Sequence, residues 1–438
     1  MNRTATGIDL EVSGGHILTL DKDMTEINPG SICISGNRIV YVGKPENKPA
    51  EMVARETIKA SGKIVMPTFF NCHSHATMSI FRGLANDLSL DDWLNHFIWP
   101  AEKKNVNPET VYLGTMISAM EMIKSGTSIF ADMYFFEEEV ARACEEIGMR
   151  VILGEGILDF PTPNKDTPDK VIGHTRILYD QFKNHPLITV SVAAHSPYIC
   201  SPESIKKSAE LSKELDISAN IHLAETYDEI TTIRERYSKS PVQYLFDLGF
   251  LSERTVAHHG IYLDDKDISL ILQSGTSIST IPDSNMKLGS GLCKVPELIR
   301  RGINVAIGTD GAASNNNQSM LRELQQLGRI QKAYNQDPTI MSADQLLSMA
   351  TLNGAKAYRM DKELGSLEAG KKADIMIINP DQPHWYPRYD PVNSIAYAMQ
   401  SEDVESVVIN GKIIMQDREL MNVDEEKLLF RMKRLQLR

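Results

Sequence analysis

The sequence is poor in cysteine, and it lacks both a long apolar run and an excess of positive charge. Its 438 residues include five cysteines, which are odd in number, widely spaced and without a CxxC pair. This pattern argues against a disulfide framework and indicates reduced thiols. No run of 18 apolar residues occurs, and Asp9 and Glu11 interrupt any apolar leader near the start. We therefore expect a cytoplasmic protein that has no contact with a membrane.

The shortage of positive charge bears on the kind of partner. Lys and Arg total 46 against 58 Asp and Glu, which gives a formal net charge of -12. Binding of nucleic acid needs clustered positive charge, so we expect a small-molecule substrate and no nucleic acid. Hydrophobic residues at 42% and charged residues at 24% are close to globular averages, which excludes disordered and fibrous classes. The oligomeric state stays open, with a homo-oligomer included.

Short alternating stretches at both ends of the chain predict one small β-sandwich. They include residues 15–20 and 39–43 near the start, and residues 373–378 and 406–414 near the end. Between them, β-rich segments alternate with helical ones, which is typical of a parallel α/β fold. Eight strands are predicted, at residues 64–71, 127–133, 150–158, 188–195, 218–223, 255–259, 276–281 and 305–309. They indicate a (β/α)8 barrel over residues 66–364, with the sandwich built from residues 1–65 and from residues 365–438, which also hold a terminal helix.

Polar residues at the ends of the predicted strands are the candidates for chemistry, because barrel enzymes carry their sites there. His73 and His75 end the first strand, and residues two apart in an extended segment point the same way. A hydrogen-bonded histidine pair at the barrel rim is the alternative interpretation. Three further predicted strands end at His222, at His258 with His259, and at Asp310. Three imidazoles and one carboxylate make a suitable shell for a zinc-like ion with room for a water.

Longer motifs at these positions resemble the amidohydrolase superfamily. They are Pro67 with NCHSH at 71–75, AHSPY at 194–198, HLAE at 222–225, GTDGAASNN at 308–316 and GSLEAGKKAD at 365–374. Within the superfamily the sequence is similar to the 5'-methylthioadenosine and S-adenosylhomocysteine deaminases, through Trp93, WPAE at 99–102 and SNMKLGSG at 284–291. The resemblance covers nearly the whole chain. It implies a metal-dependent hydrolytic deaminase of adenosine-type nucleosides, which releases the inosine analogue and ammonia.

The resemblance also implies roles for the residues at the metal. The ligands of one divalent ion, expected to be zinc, would be His73, His75, His222 and Asp310. Glu225 would move protons to the ring nitrogen and the leaving amine, while His259 polarises the attacking water and Asp310 takes its proton. His258 is interpreted as a packed neighbour. Dinuclear relatives carry a modified lysine at the fourth strand end, where this chain has His195, so we expect a single ion.

Substrate contacts are implied in the same way. Glu102 would bind the ribose hydroxyls, Trp93 would form an aromatic wall, and His195, Glu225 and Asp310 would contact the substrate. The residues alone leave other interpretations open: solvated acids at Glu102 and Glu225, and core packing for Trp93.

One stretch departs from the family pattern. The better-known deaminases often carry an arginine after the third strand that reaches the distal end of the substrate, whereas here residues 153–160 read LGEGILDF. The preferred 5' substituent therefore stays open.

Two other functions also stay open. One is hydrolysis of another heterocycle, such as guanine, a pterin, a triazine or aminofutalosine. The other is a metal-bound scaffold without activity, against which the full ligand set with Glu225 and His259 argues.

Overall fold

The computed structural model describes residues 7–435 and residue 437, and its strands fall into three hydrogen-bonded sheets. The strands are β1 (Ile8–Leu18), β2 (Glu26–Ser35), β3 (Arg38–Gly43), β4 (Ala54–Lys59), β5 (Ile64–Pro67), β6 (Phe69–Ser74), β7 (Thr127–Asp132), β8 (Arg150–Leu153), β9 (Gly156–Ile157), β10 (Ile188–Val190), β11 (Val192–Ala194), β12 (Ala219–Leu223), β13 (Thr255–His259), β14 (Ser277–Thr280), β15 (Val305–Ile307), β16 (Ile375–Ile378), β17 (Val404–Ile409), β18 (Lys412–Gln416) and β19 (Glu419–Leu420).

Helices fill most of the connections. They are α1 (Leu90–Asp92), α2 (Trp99–Asn105), α3 (Pro108–Lys124), α4 (Glu137–Ile147), α5 (Pro168–Phe182), α6 (Pro202–Leu215), α7 (Tyr227–Tyr237), α8 (Pro241–Asp247), α9 (Asp265–Ser274), α10 (Pro282–Lys287), α11 (Val295–Arg300), α12 (Met320–Asn335), α13 (Ala343–Met349), α14 (Leu352–Ala357), α15 (Pro391–Tyr397) and α16 (Glu425–Lys433). A π-helical turn over Trp93–Ile98 joins α1 to α2. Within the described ranges, no helix is long and apolar enough to cross a bilayer. All five cysteines are buried and free of disulfides.

Both ends of the chain contribute to one nine-stranded sheet. Its order is β19-β18-β17-β16-β5-β1-β2-β3, with β4 paired to β1. Apolar side chains from both ends, among them Leu10, Ile32 and Ile375, form a buried cluster of their own. The first and last parts of the chain therefore meet in a single β structure.

The middle of the chain forms two parallel sheets, in the orders β6-β7-β8-β10 and β9-β11-β12-β13-β14-β15. After β15 the chain returns to β6, where the amides of Thr309 and Asp310 both donate to the His73 carbonyl at 3.0 Å. The predicted α/β class with parallel strands is confirmed. This arrangement brings the carboxyl ends of the first and last parallel strands together.

The first predicted strand, residues 64–71, is wrong as a single element. Strand β5 pairs with β1 and β16 in the end sheet, whereas β6 pairs with β7 in a parallel sheet. The chain changes sheets at Thr68, whose amide donates to the Asp374 carbonyl. A continuous apolar run conceals this change, because both strands are buried along their whole length.

Two other predicted strands, residues 150–158 and 188–195, each divide into two in the structure. The first break includes Gly154, where a Cβ atom would lie only 2.6 Å from the Asp132 carbonyl oxygen and 2.9 Å from Ala193 Cβ. Only glycine permits this approach between neighbouring strands. The second break falls at Ser191, whose amide and hydroxyl both donate to the Leu153 carbonyl.

The start of helix α6 follows from a local sequence signal. Ser201 is its N-cap, and the Ser201 side chain accepts a hydrogen bond from the amide of Ser204. The cap satisfies one of the free amides of the first turn, which is why a serine before Pro202 indicates a helix start.

A buried ion pair joins the end sheet to the parallel strands. Arg150 of β8 donates from Nε and Nη2 to the two carboxylate oxygens of Asp374, at 2.8 and 3.1 Å. The Ser128 hydroxyl and the Asn410 amide also donate to this carboxylate. Both charged groups are therefore paired and hydrogen-bonded away from water, as buried charges require.

Replacing Asp374 with asparagine is expected to destabilise the protein by about 3–5 kcal/mol, because it leaves Arg150 as an uncompensated buried charge. The unfolding midpoint in heat and in urea measures the loss. The control is Glu363→Gln, which removes the exposed pair with Arg38 and should cost at most about 1 kcal/mol. Equal midpoints for the two variants would contradict a structural role for the buried pair.

Candidate active site

Imidazoles and one carboxylate converge at the carboxyl ends of four parallel strands. His73 and His75 come from the end of β6, His222 from β12, His259 from β13, and Asp310 follows β15. Asp310 Oδ1 lies 3.2 Å from Nε2 of His75 and 3.6 Å from Nε2 of His73. A second group contains one imidazole nitrogen each from His73, His222 and His259, and these three atoms lie within 4.8 Å of one another. The predicted metal ligands are thus brought together around His73.

Hydrogen bonds on the outer side of the rings fix the orientation of three of these histidines. In each case Nδ1 donates to an oxygen: His75 to the Met133 carbonyl at 2.6 Å, His222 to the His195 carbonyl at 2.7 Å, and His259 to the Asn285 side chain at 2.8 Å. Because Nδ1 carries the proton in these contacts, Nε2 is the atom left for a cation.

His73 gives a further test of whether the site fits a metal. Its Nε2 is buried and has no hydrogen-bond partner in the structure, which is costly unless a ligand satisfies it. Burial holds the pKa of His73 and that of His222 well below the usual value, so both rings stay neutral and able to coordinate. Three imidazoles and a carboxylate fit a zinc-like divalent ion.

Asp310 is held as a charged carboxylate at a strained turn. Its φ of +63° lies in the left-handed region, and backbone strain of this kind is concentrated at functional sites. Ser284 donates to Oδ2 at 2.7 Å and the Gly311 amide donates to Oδ1 at 2.8 Å. Burial alone would raise the pKa of Asp310, but the hydrogen bond and charge of His75 outweigh it and lower the pKa. The ionised carboxylate can therefore serve as a metal ligand.

Glu225 lies beside this cluster. It is buried, and Oε2 stands 3.6 Å from Nε2 of His259. Burial raises the pKa of Glu225, so its carboxyl group takes up a proton more readily than that of an exposed glutamate. The carboxylate of Glu229 accepts from the amides of Ala224 and Glu225 at 2.8 and 3.0 Å, so the backbone that carries Glu225 is anchored. Glu225 is therefore a buried carboxyl group on an anchored backbone and not a solvated acid.

A cavity of about 720 Å³ opens onto these groups. All but one of the predicted site residues line it, namely Trp93, Glu102, His195, His75, His222, Glu225, His259 and Asp310. The exception is His73, which lies deeper and is 1% exposed. Apolar walls around a few convergent polar groups are typical of small-molecule sites.

Glu102 lies on α2 in the wall of this cavity. It is buried, and Oε1 accepts a hydrogen bond from the Tyr134 hydroxyl at 2.6 Å. Burial raises the pKa of Glu102 to about 7, and the hydrogen bond from Tyr134 partly opposes that rise. The interpretation of Glu102 as an exposed rim acid does not match this burial.

Trp93 is buried, and its side chain belongs both to the cavity wall and to the apolar core. The predicted aromatic wall and the alternative of core packing therefore both describe the position of this residue.

The sequence analysis missed four residues that support the site, namely Tyr134, Ser284, Asn285 and Glu229. Tyr134 stands two residues after the end of β7, where a search of the strand ends could have found it.

His258 stacks on His73 with ring centroids 3.9 Å apart, which is in line with its interpretation as a packed neighbour.

Imidazole and carboxylate groups gathered at the carboxyl ends of parallel strands define a class of hydrolases that use a divalent metal. The chain belongs to the amidohydrolase family, whose sequence pattern matches residues 64–414. It is 40% identical to the 5-methylthioadenosine/S-adenosylhomocysteine deaminase 1 of Syntrophus aciditrophicus, over 98% of this chain and 97% of that protein. The 5-methylthioadenosine/S-adenosylhomocysteine deaminase of Aquifex aeolicus is 41% identical over 91% of each. A solved adenosine deaminase from Xanthomonas campestris with bound zinc matches with a TM-score of 0.95 and 31% identity, over 98% of this chain and 97% of that one.

Proposed function

We propose that this protein is a metal-dependent deaminase of adenosine-type nucleosides, which adds water to the purine ring and releases ammonia. The observation that carries the proposal is the position of the buried Glu225 beside the histidine and aspartate cluster, in one cavity with Glu102. Relatives of nearly equal length are named as deaminases of such nucleosides. The proton donor, the metal ligands and the acceptor for ribose hydroxyls would then occupy a single site.

The proposal includes the architecture that holds the site. The two parallel sheets close into a (β/α)8 barrel over residues 66–364, and the hydrogen bonds to the His73 carbonyl support the closure. Residues 1–65 and 365–438 form a β-sandwich at its side, supported by the separate apolar cluster of the end sheet.

One divalent ion, zinc by preference, is held by His73, His75, His222 and Asp310 in this proposal. When bound, such an ion lowers the pKa of a water to about 7 and so supplies a nucleophile near neutral pH. The neutral imidazoles of His73 and His222, the charged Asp310 and the unpartnered Nε2 of His73 support this assignment.

The purified protein is expected to contain about one equivalent of divalent metal, because three histidines and one aspartate complete a mononuclear shell and His195 stands where a bridging lysine would be needed. Elemental analysis of fully active protein measures the ratio. Two equivalents at full activity would contradict the single-ion assignment, and apoprotein titrated with zinc should regain activity at a ratio near one.

Asp310 and Glu225 carry the proton transfers, and His259 assists them. Asp310 accepts the proton of the attacking water, and His259 polarises that water from the other side. Glu225, protonated when substrate is bound, donates to the ring nitrogen beside C6, so that no charge accumulates on the purine as the C–O bond forms. Glu225, now ionised, then passes the proton of the new C6 hydroxyl to the amine, so that the C–N bond breaks, ammonia leaves and C6 keeps a carbonyl oxygen. The proton held by Asp310 restores the acid form of Glu225.

Residues farther from the metal bind the nucleoside. The Glu102 carboxylate accepts hydrogen bonds from the ribose hydroxyls, Trp93 forms an apolar wall, and His195 contacts the base. Tyr134 holds Glu102 in place through the 2.6 Å hydrogen bond.

The pH dependence of kcat/KM tests this arrangement. If ionised Glu102 accepts the ribose hydroxyls, kcat/KM for adenosine should fall as the pH drops below about 7, where the carboxylate becomes protonated. Tyr134→Phe removes a hydrogen bond that lowers this pKa, so the acid limb should move to higher pH. The control is 2',3'-dideoxyadenosine, for which that movement should be absent. An identical movement for both substrates would contradict the link to ribose binding.

Release of ammonia from a panel of substrates, and of chloride from a chlorotriazine, tests the function as a whole. Adenosine, 5'-deoxyadenosine, 5'-methylthioadenosine and S-adenosylhomocysteine should include the best substrates. Aminofutalosine, guanine, a pterin and a chlorotriazine represent the competing functions. A higher kcat/KM for any of these four would overturn the assignment to adenosine-type nucleosides.

A further inference from the structure

A second cavity adjoins the one that contains the metal cluster. The two share four lining residues, namely Trp99, Glu102, Phe135 and Leu158. The rest of the outer wall includes Pro100, Phe160, Pro161 and Pro163. Because Glu102 lies on the boundary, a nucleoside whose base is at the metal and whose ribose is at Glu102 would have its sugar beside the outer cavity.

The outer wall is held in a fixed shape. Phe160 packs edge-on against Trp99 of α2, with ring centroids 5.3 Å apart. Glu155 anchors the loop that follows, because its Oε1 accepts from Asn164 Nδ2 at 2.6 Å. The same buried carboxylate accepts from the amides of Phe136 and Glu137 at the start of α4. Glu155 thus stabilises the outer wall through these hydrogen bonds, although it is not among the residues that line either cavity.

Positively charged side chains are rare in the lining of the two cavities. Among the described residues that line the two cavities, Lys103 is the only lysine or arginine, and it is exposed on α2. An exposed ion pair contributes little to binding because water screens it. Apolar groups, by contrast, bind well against aromatic and proline surfaces that exclude water.

We infer that the outer cavity binds the 5' substituent of the nucleoside and selects an uncharged, apolar one, such as an alkylthio group, over a zwitterionic amino-acid tail. This inference rests on the proposed deaminase function. Phe160 and Leu158 are the residues that set the preference, since their side chains form the apolar surface next to the ribose position. A charged tail would lose its hydration there without gaining a buried partner.

The preference is measured as kcat/KM for ammonia release by the metal-loaded full chain. 5'-Methylthioadenosine should exceed both 5'-deoxyadenosine and S-adenosylhomocysteine by about tenfold or more, since one small apolar group in a fitted pocket gives discrimination of that order. A value for S-adenosylhomocysteine equal to or above that for 5'-methylthioadenosine would overturn the inference and leave the deaminase function intact. Absence of ammonia from every nucleoside would instead overturn the function itself.

Variants locate the preference in the outer cavity. Phe160→Ala should lower kcat/KM for 5'-methylthioadenosine by about tenfold and change that for 5'-deoxyadenosine by less than about twofold. The matched control is Phe430→Ala on α16, where the side chain is 58% exposed. Lys103→Met should leave S-adenosylhomocysteine turnover within about twofold. An equal loss for both nucleosides in Phe160→Ala, or a tenfold loss for S-adenosylhomocysteine in Lys103→Met, would overturn the assignment.

Discussion

Replacing Glu225 with glutamine is expected to lower kcat for adenosine deamination by roughly 100-fold to 10,000-fold, which is the usual contribution of a positioned proton donor. The amide occupies the same volume and can still hydrogen-bond, but it cannot deliver a proton to the ring nitrogen. Its neighbour His259, 3.6 Å away, should stay in place because the Asn285 side chain holds its other nitrogen. The metal content should therefore remain close to that of the parent protein.

The measurement combines ammonia release under saturating substrate with elemental analysis of the same sample. The control is Glu203→Gln, which removes a 75% exposed carboxylate at the start of α6 and should leave both quantities unchanged. If Glu225→Gln lost the metal together with activity, Glu225 would be a ligand and the assigned proton transfer would be wrong. Full activity would mean that another group donates the proton.

Placement of the residues around the metal could be predicted because each one stands at the end of a buried strand or within three residues after it. His222 and His259 end or nearly end short β segments, and parallel strands in one sheet bring such ends to the same edge. Candidate ligands at the ends of several strands together indicated a metal site, whereas the pair of His73 and His75 alone did not. The long motifs around Asp310 and Glu102 then supplied roles that spacing could not.

The breaks within strands could not be predicted, because they depend on neighbours that are distant in sequence. Gly154 is needed where Asp132 and Ala193 approach from two adjacent strands, and the local sequence contains no sign of that approach. The change of sheets at Thr68 lies inside a continuous apolar run, so periodicity gives no boundary. The position of Tyr134 just after β7 could be found from the sequence, but its role could not, because that role comes from the hydrogen bond to Glu102, which lies 32 positions away in the chain.

Removal of the ribose hydroxyls is expected to cost the enzyme on the order of 100-fold in kcat/KM, as long as Glu102 is present. A carboxylate can accept from both vicinal hydroxyls, and charge-assisted hydrogen bonds contribute roughly 1.5–3 kcal/mol each. Adenosine and 2',3'-dideoxyadenosine are the matched pair, since they differ only in these groups. Adenine, which lacks the sugar altogether, should be a far poorer substrate than either.

Glu102→Ala should erase most of this discrimination, because the variant loses kcat/KM for adenosine and changes little for the dideoxynucleoside. Loss of the carboxylate also leaves the Tyr134 hydroxyl without its partner, and that effect is common to both substrates. The ratio of the two kcat/KM values therefore isolates the ribose contacts from a general disturbance of the wall. Glu109→Ala, at a 74% exposed position on α3, is the control and should keep the parent ratio. If Glu102→Ala also kept it, the buried carboxylate would have no part in binding the sugar, and the ribose would have to be recognised elsewhere in the cavity.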